Sequence, residues 1–143
     1  MKNLFWISIS LLVICCNNPE EIYKKKLSRY IFDTLKVVST KDSKQYVFIL
    51  NPKVVCASCV VGAFNKVNEL GSSKNITVIT NEDINKAYNK FDNLNIVFDV
   101  EEKIFQIDKL NRLSSKFMVF QNQEMIFSLN IDGENVKDLE KYF

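Results

Sequence analysis

Apolar positions along this chain change their spacing several times, and each change marks an element. Residues 4–16 are almost continuously apolar, broken only by Ser8 and Ser10, and the chain turns polar at once with Asn17-Asn18-Pro19-Glu20-Glu21. That run is shorter than the roughly 20 apolar residues a spanning helix needs. Leu27, Ile31, Leu35 and Val38 then recur at helical spacing. Asn18-Pro19-Glu20-Glu21 supplies a start for this helix: a capping side chain, proline at the first position, and acids near the positive end of the dipole. A first helix is therefore expected over residues 20–38, and a polar break over residues 39–43.

Residues 45–50 are rich in aromatic and β-branched side chains and predict a buried strand, ended by Asn51-Pro52-Lys53. A second helix is expected from near Cys56. Its stripe is Val60, Phe64 and Val67, with Ala63 and Leu70 beside it, and Gly71-Ser72-Ser73 stops it. Residues 76–80 predict a second strand, residues 82–91 a third helix with Ile84, Ala87, Tyr88 and Phe91 on one face, and residues 94–100 a third strand. Residues 116–120 and 125–129 flank Gln121-Asn122-Gln123-Glu124, a hairpin pattern with its turn near Asn122. A short amphipathic helix carrying Val136, Leu139 and Tyr142 ends the chain. Strands alternating with helices imply crossover units, so the expected class is α/β with a partly parallel sheet, to which the hairpin adds antiparallel strands.

Composition narrows the function classes. The 143 residues are 47% hydrophobic and 25% charged, with 3 Gly and 2 Pro, the balance of one ordinary globular domain. A formal net charge of +2, with lysines dispersed among acids, gives no footprint for nucleic acid. The chain contains no histidine, so it offers no imidazole base for a nucleophile and no imidazole ligand for a metal. Lys24-Lys25-Lys26 on the first helix reads as a solvated face in preference to a contact with lipid headgroups. Glu101-Glu102 and the pair Asp132 and Glu134 read as solvated surface acids. Gly62, Gly71 and Gly133 are isolated, so no phosphate loop is present.

Lys2 followed by the short apolar run has the form of a secretory signal. An apolar run ending in cysteine resembles the lipobox of bacterial lipoproteins, in which the cysteine is acylated and becomes the new first residue. Cys16 is the better match and Cys15 the alternative, since the bulky Ile14 precedes Cys15. The resemblance implies a signal over residues 1–16, an N-terminal helix and linker over residues 17–43, and a domain over residues 44–143. It also implies a lipid anchor, palmitate among the usual acyl groups, holding the domain on the periplasmic or external side of a bacterial envelope membrane.

The motif that carries chemistry is Cys56-Ala57-Ser58-Cys59, placed between a predicted strand and a predicted helix. At a helix N-terminus the free N–H groups and the dipole favour a thiolate. Cys56 would be the exposed nucleophile and Cys59, one turn later, the resolving thiol. The order strand, Cys-x-x-Cys, helix, strand, helix, hairpin, helix resembles the thioredoxin-like fold, and most closely the envelope-anchored TlpA-like thiol-disulfide oxidoreductases. The likeness covers residues 45–143, with residues 117–124 matching the family's strand–turn–strand.

That resemblance implies a three-layer α/β/α domain with a mixed sheet, a C-terminal hairpin plus helix, and a redox pair at Cys56 and Cys59. It implies dithiol–disulfide exchange with envelope protein thiols or disulfides, no bound cofactor or metal, and a monomer. Three positions depart from the family pattern: Val55 replaces a tryptophan, Leu50 a buried acid, and Ser115, within Leu113-Ser114-Ser115-Lys116, the cis-proline that receives substrate. A cis bond costs about 3 kcal/mol more before serine than before proline, so a trans bond is expected there, with Ser114 and Ser115 lining the substrate backbone site. The alternatives to redox exchange are an inert disulfide or buried thiols in a binding module, and metal carriage. Zinc wants four ligands, and cuprous ion could take two thiolates.

Overall fold

The computed structural model describes residues 18–39, 42–50, 62, 65–69, 75–81, 94–107, 115–132 and 134–143. Residues 65–69 are helical and fall within the helix expected from near Cys56, whose start lies outside the described residues. The expected third helix over residues 82–91 lies outside the described residues.

The chain enters through α1 (Pro19–Arg29). Asn18 caps it as the sequence pattern predicts, its side chain accepting from Glu20 N at 3.1 Å, with Pro19 in the first turn. The helix does not run on to Val38 in α form. It widens into a π turn over Tyr30–Thr34, where Leu35 N donates to Tyr30 O at 3.0 Å, and Lys36 then takes a positive φ of 57°. The widened turn and the left-handed residue break the helical register, and Val37 N closes back onto Ile31 O at 3.2 Å.

The sheet is built from β1 (Lys44–Ile49), β2 (Ile76–Thr80), β3 (Asn95–Phe98), β4 (Ser115–Gln121) and β5 (Glu124–Ile131), in the order β3-β2-β1-β4-β5. β1, β2 and β3 are parallel, with Tyr46 opposite Ile76 and Val78 opposite Ile96. β4 lies antiparallel to β1, Phe48 facing Phe117, and β5 antiparallel to β4. This is the mixed α/β sheet the alternation implied. The hairpin turns at Asn122 and Gln123, both at positive φ (51° and 65°), the backbone a two-residue turn needs to follow the twist of its strands. Asn122 Oδ1 also accepts from Asp42 N at 3.3 Å. A bulge between Val119 and Phe120 turns Ile126 outward, half exposed.

β1 and β2 are buried almost throughout, as strands covered on both sides are. On one face Tyr46, Phe48, Ile76, Val78, Phe117 and Val119 pack with Val67 and with Leu139 of a C-terminal 3₁₀ helix (Asn135–Tyr142). On the other, Val47, Ile49, Ile79, Met118 and Phe120 pack with Leu27 and Ile31 of the N-terminal helical segment and with Ile104 of a short α2 (Lys103–Ile107). Each large side chain sealed in this way contributes about 1.5–3 kcal/mol. The final helix is amphipathic as expected, but 3₁₀ rather than α. It starts from Asp132, whose Oδ1 accepts from Glu134 N and Asn135 N, both at 2.9 Å. Asp132 therefore organises a helix start, beyond the solvated role its sequence suggests.

Candidate functional site

The three parallel strands end together, and the open space beyond the carboxyl ends of parallel strands is where α/β sheets bind ligands. Here those ends are Leu50, Thr80 and Phe98-Asp99. β4 starts at the same level: Lys116 pairs with Ile49, and Ser115 precedes it. Ser115 is buried, and Leu50 fully so. Leu50 N donates to Ile79 O at 2.9 Å, which holds the last residue of the central strand against β2. From Leu50 the chain passes directly into the segment with Cys56 and Cys59. Cys15, Cys16, Cys56, Cys59 and Ser114 lie outside the described residues. Of the sequence-designated positions, the structure describes Ser115.

Lys116 adds a cation beside this strand end. Its ammonium donates to Tyr23 Oη at 3.3 Å and stands 5.7 Å from the centre of that ring, which ties the β4 start to α1.

The most organised polar group at this end is Asp99, with 1% of its surface exposed. Its backbone extends the pairing of β2 and β3, Asp99 N donating to Thr80 O at 2.8 Å. Its carboxylate is divided between two elements. Oδ1 accepts from the Tyr30 hydroxyl at 2.7 Å, and Oδ2 accepts from Ile104 N at 2.7 Å, in the first turn of α2. A carboxylate is well placed there, because it satisfies a free helix N–H and sits at the positive end of the dipole. Partial burial, then the hydrogen bond and charge of Asp99, hold the Tyr30 phenol well above its ordinary value of 10.0.

Around this knot Glu102, at a positive φ of 52°, accepts from Asn81 Nδ2 at 2.8 Å. Glu101 pairs with Lys103, whose ammonium that partner holds above its ordinary range. The buried side-chain oxygens of Thr80 and Asn81 find no hydrogen-bond partner among the described residues. Sequence reasoning missed Asp99 and Tyr30. The available signal was Asp99-Val100-Glu101-Glu102, an acid with a second acid three residues later ahead of Ile104 and Ile107, which is a helix-start pattern. Glu101 and Glu102 do not act as a carboxylate pair: one serves Lys103 and the other Asn81.

Among the described residues no group of three metal-binding side chains comes together. The same residues contain no helix long and apolar enough to cross a membrane. No protein-family model matches the chain, and neither does any curated protein.

Proposed function

We propose that the chain is a lipid-anchored thiol-disulfide oxidoreductase of thioredoxin-like fold, with Cys56 as nucleophile and Cys59 as resolving thiol. The observation that carries this reading is the position of the motif. Cys56 follows six residues after Leu50, the carboxyl end of the central strand, with β2 on one side and the buried Ser115 on the other. The chain therefore leaves the central strand toward the motif at the sheet end where parallel α/β domains do their chemistry. Residues 65–69 are helical, and Val67 packs beneath Tyr46, Phe48 and Leu50, in keeping with a helix that returns from the motif across the sheet.

In the reaction, the Cys56 thiolate attacks one sulfur of a substrate disulfide. The Cys56–substrate bond forms as the substrate S–S bond breaks, releasing one substrate thiolate, which takes a proton. The Cys59 thiolate then attacks Cys56 Sγ and releases the second substrate thiol. The substrate gains two electrons, and the protein is left with a Cys56–Cys59 disulfide. The same steps in reverse oxidise a dithiol.

A non-catalytic binding module on the same fold is the second reading. It is favoured by Leu50, fully buried where the family carries an acid to take the proton from the resolving thiol. Trapping separates the two. Cys59→Ser in the full chain, incubated with envelope extract, accumulates a mixed disulfide through Cys56 that dithiothreitol releases. A binding module gives no such adduct, and Cys56→Ser then binds its partner as well as the natural chain does. For the anchor, Cys16→Ser abolishes acylation. Unchanged acylation moves the site to Cys15, and a natural chain without acyl groups refutes the lipoprotein reading.

A further inference from the structure

The outward face of α1 carries a compact patch. Ile22, Lys25, Lys26 and Arg29 are all exposed, whereas Leu27 on the opposite side is completely buried. Each of the four lies three or four residues from two others, so they are neighbours on the helix surface. Ile22 shows 52% of its surface to solvent, an aliphatic side chain beside Lys25 and Lys26. Among the described residues none of Lys25, Lys26 and Arg29 meets a carboxylate; Lys24, by contrast, is taken by Glu20 at 2.6 Å. The helix carries four cations against the carboxylates Glu20 and Glu21, a surplus equal to the net charge of the whole chain. Glu21, Asp33 and Glu124 border the patch, and Lys25 and Arg29 also line the groove between α1 and the hairpin turn.

We infer that this face docks on an anionic membrane surface, Ile22 entering the interface and Lys25, Lys26 and Arg29 meeting headgroup phosphates. The inference rests on the proposed acylation at Cys16. From Cys16 to Pro19 the chain has three peptide steps, which span at most about 11 Å when extended. An anchored Cys16 therefore holds the first turn of α1 at headgroup depth. A helix presenting an apolar side chain among cations suits that layer. Each cation near an anionic leaflet strengthens attachment about fivefold. Lys25 and Lys26 are exposed, as a solvated face requires, and docking adds to that reading that Ile22 shares the patch.

The test uses the natural acylated protein, its lipid verified by mass, reconstituted into vesicles of phosphatidylcholine and into equimolar phosphatidylcholine–phosphatidylglycerol. Labelling of Lys25 and Lys26 by a water-soluble amine reagent falls severalfold on the anionic vesicles only and recovers in high salt. Lys44 and Lys141 label equally on both. A polarity-sensitive dye on Ile22→Cys, in a chain that also carries Cys56→Ser and Cys59→Ser, shifts to the blue on the anionic vesicles alone. Equal labelling of Lys25 and Lys26 on the two surfaces, with the acyl chain present, overturns the docking face and leaves the anchor standing. A protein whose mass shows no lipid overturns both.

Discussion

On one face of the sheet the aromatic rings of Tyr46, Phe48, Phe127, Tyr142 and Phe143 gather about Phe117, with centroids 4.8–6.2 Å apart. On the other face aliphatic side chains of α1 and α2 cover the strands, Phe32 meets Phe120 edge-on at 5.2 Å, and a buried carboxylate ties the helices together. The first face is closed by the end of the chain and held by shape. The second is closed by the N-terminal helix and held partly by polar bonds to Asp99. The difference teaches where the molecule is sensitive. Changes to the ring cluster act through packing, which reaches Leu50 and Val67, whereas changes at Asp99 break polar bonds at the strand ends where the candidate site lies.

Four substitutions test that contrast. Phe117→Ala, at the centre of the rings and fully buried, is expected to cost about 3–5 kcal/mol in denaturant unfolding. Asp99→Ala removes the acceptor for Tyr30 and the cap of α2 together, at about 3 kcal/mol. Unlike Phe117→Ala, it should raise amide exchange at residues 103–107, and exchange no faster there would show that the two faces do not differ in kind.

Tyr30→Phe is milder, about 1 kcal/mol at neutral pH. Its signature is pH dependence. Because folding raises the phenol above 10.0, the unfolded chain loses this proton first. The contribution of Tyr30 is therefore whole below that pH and is lost as pH rises toward the folded value. The phenylalanine variant should lose stability less steeply in that range, and parallel curves would remove Tyr30 from the explanation. The smallest effect belongs to the hairpin. Gln123 holds a left-handed φ of 65°, so Gln123→Gly should gain about 0.5 kcal/mol in thermal unfolding, after the entropy that glycine adds to the unfolded chain.

Much of this architecture was legible in the sequence because burial and period coincide there. Residues 76–80 form the expected strand without adjustment, and β1 and the hairpin strands shift by a residue or a few at their ends. The cap at Asn18 and the turn at Asn122 were also readable, since each depends on local backbone chemistry. The π turn at Tyr30–Thr34 was not, because helical spacing of apolar residues does not distinguish an α from a wider turn. α2 is only five residues long, too short for a period to emerge, and its start depends on Asp99. The 3₁₀ winding of the last helix is likewise invisible to a pattern of apolar positions. At the candidate site, Ser115, expected just before a hairpin strand, is the buried first residue of β4. Asp99 and Tyr30 meet across 69 positions of sequence, a contact only the fold reveals.

The most direct test of the redox pair is the pH dependence of alkylation at Cys56 and Cys59 in the reduced full chain, each site read by peptide mass. An exchange-competent pair gives a Cys56 that reacts faster than Cys59 and titrates well below the ordinary thiol value of about 8.5. Two thiols that alkylate only on unfolding, or a Cys56 that titrates at or above that value, would contradict it.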